Sequence, residues 1–197
     1  MKEISVAISG ASGAAYGVRF LQALDELPEV SKVHLVISGN GFTLLKQETA
    51  IRLSEKKFRV EHLIGKPSKK IHFYHSMDFY SPIASGSYPT DGMVVIPCST
   101  GTLGSIASGA SINLIHRGAE VALKERKKLV LVIRETPLSA IHLENCMRVT
   151  QAGGVILPAS PGFYHRPVEI SDLIDFIVAR VLDQFGLEHK IGKRWGK

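Results

Sequence analysis

ISVAISGASGAAYG, residues 4–17, is the stretch from which the fold is read. Ile4, Val6 and Ile8 are apolar with small or polar residues between them, the pattern of a short buried strand. Ser9, Gly10, Ala11, Ser12 and Gly13 follow with small side chains, and Tyr16, Phe20, Leu21 and Leu24 then recur at helical spacing. The order is strand, tight turn, helix. In a parallel α/β sheet such a turn lies at the carboxyl end of the strand and over the amino end of the helix, where open N–H groups and the helix dipole favour a phosphate. The glycines at 10, 13 and 17 are spaced G-x-x-G-x-x-x-G, which is not the dinucleotide pattern G-x-G-x-x-G. A phosphate cradle and a ligand-free close crossing of strand and helix both fit.

Working outward, VHLVIS at 33–38 reads as a second strand ending at Ser38-Gly39-Asn40-Gly41, with a helix from about 42 to 49. Residues 50–75 are polar, with Pro67 and several lysines, and read as peripheral structure over the sheet edge with one short helix. SPIASGSYP at 81–89 reads as a loop facing the ligand region. DGMVVIP at 91–97 is a buried strand, and CSTGTLG at 98–104 repeats the small-residue chemistry of the first turn before a helix through Ile106 and Ala107. Residues 113–126 form a further helix, on which Arg117 and Lys124 share a face two turns apart. LVLVI at 129–133 is a buried parallel strand running into Arg134-Glu135, read as an ion pair. Ser139 or Thr136 caps the helix at 140–152; Val155–Leu157 is the last strand; Ser171 caps a closing helix at 170–185 striped by Leu173, Ile174, Ile177, Val178, Val181 and Leu182. Strands alternating with helices predict an α/β fold with a doubly wound, mainly parallel sheet flanked by helices.

The totals narrow the function classes. At 197 residues the chain suits one well-buried domain, and its 45% hydrophobic and 21% charged content is that of a globular protein. A net charge of +6 without a Lys/Arg block interleaved with aromatics favours anionic small molecules over nucleic acid. Cys98 and Cys146 form no C-x-x-C pair, and the eight histidines have no ligand spacing, so no metal is expected. No secretory signal or membrane span is expected either, which places the protein in the cytoplasm. His142 and His165 are the histidines nearest the site segments and receive no role.

Five segments fall at the carboxyl ends of the expected strands: Gly10–Gly13, Ser38, Ser99–Thr102, Arg134-Glu135 and Pro161–Tyr164. Hydroxyls and charges converging there suit a phosphorylated, ring-bearing ligand. SGASGAAYG, ASGS, PCSTGTL, NLIHRGAEVALKERKKLVLVIRETP, IHLENCM and ILPASPGFYHRP together strongly resemble the UbiX-type flavin prenyltransferases, over nearly the whole chain outside residues 50–75. The resemblance implies a Rossmann-like subunit, a homododecamer with sites at subunit interfaces, and no metal. It also implies a reaction in which dimethylallyl phosphate and reduced FMN give prenylated FMN, through bonds to N5 and C6, for a UbiD-type decarboxylase serving ubiquinone synthesis or acting on aromatic acids. On the same resemblance FMN contacts fall on Gly10, Ala11, Ser12, Ser38, Ser99, Thr100, Gly101, Thr102 and Arg134, with Ser85, Gly86 and Ser87 beside the flavin. Prenyl-phosphate contacts fall on Tyr164 and Arg180, joined by Arg117, Lys124, Glu48, Glu135 and Trp195. Phe79 stands where some relatives carry Trp.

The residue types suit that chemistry. Ionising an allylic phosphate loads charge onto the leaving oxygens, which Arg117, Lys124 and Arg180 can take up. Closing a ring at C6 requires loss of a proton, for which Glu135 is the first acceptor, while Glu48 acts with Ser12 near N5. Trp195, in a tail at about 186–197 that contributes to the active site, can face a carbocation. The alternatives are an FMN-dependent decarboxylase of the phosphopantothenoylcysteine type and a non-catalytic flavin-binding subunit.

Overall fold

The computed structural model describes residues 1–192. The sheet it contains has the order β3-β2-β1-β4-β5-β6, with every adjacent pair parallel. In chain order β1 is Lys2–Ile8, β2 Val30–Ile37, β3 Ile71–Tyr74, β4 Gly92–Cys98, β5 Lys128–Ile133 and β6 Val155–Pro158. The helices are α1 Ala14–Glu26, α2 Gly39–Glu48, α3 Val60–Ile64, α4 Thr100–Ser108, α5 Leu114–Lys124, α6 Ala140–Gln151 and α7 Ile170–Gln184. Strand order reverses between β1 and β4, and in a doubly wound sheet the ligand crevice opens outside the carboxyl ends of the strands at that switch point. The expected architecture is therefore present, Rossmann-like in its strand order.

Strand alternation divides the core in two. Ile4, Val6, Ile8, Val33, Leu35, Val94 and Val130 point to one face, under α1, α2, α3 and α7; Ala7, Val36, Met93, Val95, Leu129 and Leu131 point to the other, under α4, α5 and α6. On α1, Ala14, Gly17, Leu21 and Leu24 are buried with Phe20, as a 3.6-residue period requires. Burying a side chain such as Phe20 or Leu24 contributes roughly 1.5–3 kcal/mol. The helix ends at Leu27, whose extended backbone (φ −76, ψ 121) is the geometry imposed by the proline that follows it. Gly17 is fixed by space: a Cβ there would stand 2.5 Å from the Ile96 carbonyl oxygen and 2.9 Å from Ile8 Cγ1. The third glycine of the opening stretch thus lets α1 close on β1 and β4.

Three expectations change. Residues 71–74 are not peripheral: IHFY forms the edge strand β3 on β2, so the sheet has six strands where five are read from the sequence. Helix α2 begins directly after Ser38, three residues before Phe42. Helix α7 is capped not by Ser171 but by Glu169 in a reciprocal pair with Asp172, whose Oδ2 accepts the N–H groups of Val168 at 2.8 Å and Glu169 at 3.1 Å; the Ser171 hydroxyl only reaches Glu169. At α6 the cap is Ser139, in a reciprocal pair with His142.

Candidate active site

The crevice at the switch point is braced by Ser9. Its buried hydroxyl donates to the Pro97 carbonyl at 2.9 Å and accepts the Ser99 N–H at 2.9 Å, tying the carboxyl ends of β1 and β4 together. Reading the sequence for ligand contacts passes over this residue, because a serine followed by other small residues carries no sign of which hydroxyl is structural. On either side of β1, α2 and α4 point their amino ends at the crevice. Ser38 Oγ accepts the Gly41 N–H at 3.0 Å and Ser99 Oγ accepts the Thr102 N–H at 3.2 Å, so both expected cofactor serines are helix caps. Ser99 also donates to Thr102 Oγ1 at 3.1 Å. Asn40, another residue without a sequence signal, packs across Gly10: a Cβ on Gly10 would lie 2.6 Å from Asn40 Cβ.

The amino end of α1, which the opening stretch marks as phosphate-friendly, holds a carboxylate instead. Glu48 Oε2 accepts the N–H groups of Gly13 at 2.8 Å and Ala14 at 2.9 Å, and the Ser12 hydroxyl bonds the same side chain. Desolvation pushes the Glu48 carboxyl up. The hydrogen bonds from Ser12, Ala14 and Gly13 and the charge of Arg134 outweigh it, leaving the group below its ordinary value of 4.5 and ionised at neutral pH. A phosphate at the same N–H groups would meet that charge. The first N–H groups of α2 and α4 have no acceptor within their own helices and, among the described residues, no carboxylate placed on them, the geometry that suits an anion.

Arg134 and Glu135 follow the last residue of β5 and line a cavity of about 140 Å³ with Ile133, Cys146, Pro158 and Ser160. They are not the ion pair read from their adjacency: among the described residues neither is bonded to the other. Glu135 Oε1 accepts the Thr136 N–H at 3.0 Å. Arg134 Nε is buried without a hydrogen-bond partner. A buried guanidinium N–H without an acceptor is costly, and a carbonyl or phosphate oxygen of a bound ligand would satisfy it. The groups present (serine-capped helix ends and a guanidinium as donors, the Ser12 oxygen as an acceptor) fit a flavin mononucleotide, with its phosphate and its polar ring edge. No cluster of His, Cys, Asp or Glu placed to hold a metal ion occurs among the described residues.

Tyr164, in the segment after β6, rests edge-on against Phe176 of α7, with ring centroids 5.8 Å apart. Arg180 is one turn further along the same face of α7 and pairs with Asp183 at 2.9 Å. The two residues read as prenyl-phosphate contacts are thus brought to one helix face. Trp195 lies outside the described residues.

Ser85, Ser87, Arg117 and Lys124 are not brought to this crevice. The loop at 85–90 enters β4 at its amino end, Gly92, whereas the crevice is at its carboxyl end, Cys98, about 20 Å away at the rise of a strand. Lys124 likewise ends α5 just before β5 begins at Lys128, while Arg134 follows the other end of that strand. Within one chain the loop expected to face the ligand region therefore lies away from this crevice: a connection entering a parallel strand lies on the edge opposite to one leaving it. Arg117 and Lys124 do share a face, and both turn to that loop. Arg117 Nε donates to the Ala84 carbonyl at 3.0 Å, and Lys124 pairs with Glu125 above Gly86.

Several large apolar side chains stand in solvent. Tyr80 is fully exposed, and Ile141, Leu143 and Met147 protrude from α6, a helix on which Val149 alone is buried. No helix among the described residues is long and apolar enough to cross a membrane.

The profile of the Flavoprotein family matches residues 1–182. A flavin prenyltransferase UbiX from Halalkalibacterium halodurans is 47% identical over 193 residues, covering 98% of this chain and 93% of the relative. Among solved structures, AnUbiX (PadA1) in complex with FMN and dimethylallyl pyrophosphate superposes with a TM-score of 0.88 at 43% identity, covering 100% of this chain and 98% of that one. A dodecameric FMN-dependent UbiX-like decarboxylase from Escherichia coli O157:H7 does so with a TM-score of 0.87 at 44% identity, over 99% and 100%.

Proposed function

The chain belongs to the flavoprotein family, as a flavin prenyltransferase acting on FMN, and on that premise we propose how its residues divide the work. The group transferred is dimethylallyl from dimethylallyl phosphate, the bonds formed are to N5 and C6 of reduced FMN, and the product serves a UbiD-type decarboxylase. The observation that carries the assignment of residues is the buried, unpartnered Nε of Arg134 beside a crevice flanked by two serine-capped helix ends.

Bound FMN supplies the nucleophilic ring. The amino ends of α2 and α4, through Ser38 and Ser99–Thr102, hold its phosphate, Gly10 and Ala11 let the ring approach the backbone, and Arg134 donates to a ring oxygen. Ser12 already gives its proton to ionised Glu48, which leaves its oxygen free to accept the N5 proton and relay it to Glu48. Glu135, on the same cavity wall as Arg134, accepts the C6 proton. Tyr164 and Arg180 bind the prenyl phosphate on the face of α7. Arg117 and Lys124 stabilise the leaving phosphate, and Ser85 and Ser87 flank the flavin, from a neighbouring copy, since Ser85, Ser87 and Lys124 sit at the opposite edge of the sheet and Arg117 is turned to their loop. The exposed apolar side chains of α6 and Tyr80 suit a homo-oligomer of the dodecameric kind described for the E. coli relative. Residues 1–197 act as one flavoprotein domain whose tail, with Trp195, completes the site. Two free cysteines suit the reducing cytoplasm.

The test is the mass of the flavin after anaerobic incubation of the protein with reduced FMN and dimethylallyl monophosphate or diphosphate. A flavin heavier by one C5 unit is expected. Arg134→Leu should weaken FMN binding roughly 10-fold or more, the worth of a charge-assisted hydrogen bond. An unmodified flavin with FMN bound refutes the reaction, and full FMN affinity in Arg134→Leu refutes the placement of the ring.

A further inference from the structure

The serines at 85 and 87 bond each other, Oγ to Oγ at 2.8 Å, and neither holds the loop to the body of the protein. That hold is made by the next residue. The Tyr88 hydroxyl donates to Glu3 Oε2 at 2.8 Å and accepts from Lys32 Nζ at 3.2 Å. Its ring stands edge-on to His34, with centroids 5.3 Å apart and planes at 88°. Its carbonyl accepts from Lys127 Nζ at 2.9 Å, and its N–H reaches back to the Ser85 carbonyl at 3.3 Å.

The platform under Tyr88 is built to stay put. His34 is fully buried on β2, with Nε2 on Glu3 Oε2 at 3.2 Å and Nδ1 on the Tyr74 hydroxyl at 3.1 Å. One arrangement of protons satisfies every group: Nε2–H donates to the Glu3 carboxylate, the Tyr74 hydroxyl donates to Nδ1, Tyr88 donates to Glu3, and Lys32 donates to Tyr88. Four side chains from three strands thus fix the position of one loop tyrosine. On the loop's other flank the Lys124–Glu125 pair covers Gly86 so closely that a Cβ would lie 2.1 Å from Glu125 Oε1 and 2.6 Å from Lys124 Nζ. No motif singles out Tyr88, Glu3 or Lys32, and none of them belongs to the crevice.

The geometry points to Tyr88 as a positioning residue for catalysis: clamped by Glu3, Lys32 and His34, it sets where Ser85 and Ser87 present their hydroxyls to the flavin. This rests on the reading of those serines as flavin contacts. Removing the Tyr88 hydroxyl leaves the ring in place and frees the loop to sample other positions, so the serines meet the flavin less often while the reacting groups elsewhere are untouched. The signature is a raised KM for FMN at constant kcat.

The experiment compares the full-length parent with Tyr88→Phe, Glu3→Gln and a Ser85→Ala/Ser87→Ala double variant. Amide exchange over residues 84–90, thermal stability, and kcat and KM for reduced FMN are measured on each. Tyr88→Phe should speed exchange in 84–90 while leaving the strands protected, and raise KM roughly 3- to 10-fold, the worth of one hydrogen bond. Glu3→Gln keeps an acceptor for the tyrosine and should give a smaller rise. Parental exchange and KM in Tyr88→Phe would overturn the proposal if the double serine variant raises KM. An unchanged KM in the double serine variant would instead remove the reading of the serines as flavin contacts, and the catalytic role of Tyr88 with it, even with faster exchange. Faster exchange throughout the sheet with unchanged KM would reduce the tyrosine to fold support and also overturn it.

Discussion

Replacing Glu48 by Gln tests whether the carboxylate at the head of α1 is held for its charge. In the parent, Oε2 takes two backbone N–H groups, at 2.8 and 2.9 Å, and the Ser12 hydroxyl bonds the same carboxylate. A hydrogen bond to a charged group contributes about 1.5–3 kcal/mol, and a negative charge at a helix amino end a further 0.3–1 kcal/mol. The glutamine retains a carbonyl that can accept from Gly13 or Ala14, and Glu48 is exposed enough for solvent screening to reduce the charged part, so the net loss is about 1 kcal/mol. The folded-state carboxyl lies below 4.5, so its contribution is fully present above that pH and is lost as pH falls through the lowered value. Urea unfolding of both proteins should therefore show a gap of about 1 kcal/mol at pH 7 that narrows as the pH is taken below 4.5. Equal stability at pH 7, or a gap undiminished in acid, would refute the assignment. With reduced FMN and prenyl phosphate the same variant should slow turnover about 100-fold, because Ser12 loses the base that receives its proton.

Gly17→Ala places a methyl group 2.5 Å from the Ile96 carbonyl oxygen; neither α1 nor β4 can yield cheaply, and urea unfolding should show a loss of roughly 1–3 kcal/mol. The buried histidines set a second pH window. Desolvation holds both His34 and His116 below the ordinary value of 6.5; at His34 the Lys32 and His72 charges add to it and Glu3 opposes it. Both rings are neutral in the fold, and below 6.5 the unfolded chain binds protons that the native state refuses, so stability present above that pH is lost as pH falls. Urea midpoints should decline between about pH 7 and 5, before the lowered carboxylates titrate, and a flat profile over that range would contradict the buried neutral assignment.

The parallel sheet was legible because β1, β4 and β5 are buried on both faces and read as apolar runs. Strand β3 was not. IHFY follows the polar run KPSKK, only Ile71 of its four residues is buried, and it pairs on one side alone, so its signal falls below that of a loop. Motif content named the side chains proposed to carry the chemistry, and of these the crevice collects Gly10–Ser12, Ser38, Glu48, Ser99–Thr102, Arg134 and Glu135. It could not tell a ligand hydroxyl from a structural one, as Ser9 shows, nor foresee that Glu48 would cross 35 positions to fill the helix end where a phosphate is expected.

Linear order conceals a further property, the sheet edge to which a residue belongs. Ser99 leaves β4 and Ser87 enters it, and the strand between them places them on opposite edges about 20 Å apart. The same holds for Arg134 and Lys124 across β5. A flavin in the crevice of one chain that also meets Lys124 must borrow it from another. If the proposed contacts hold, the assembly is part of the active site, and the surface of α6 left apolar in the isolated chain follows from the same requirement. Charge substitutions at Ile141 and Met147, whose side chains stand in solvent on α6, should then abolish prenylation together with assembly, as size-exclusion chromatography and flavin mass would report. A dispersed variant with full activity would show that one chain suffices and would return Ser85, Ser87, Arg117 and Lys124 to the status of structural residues.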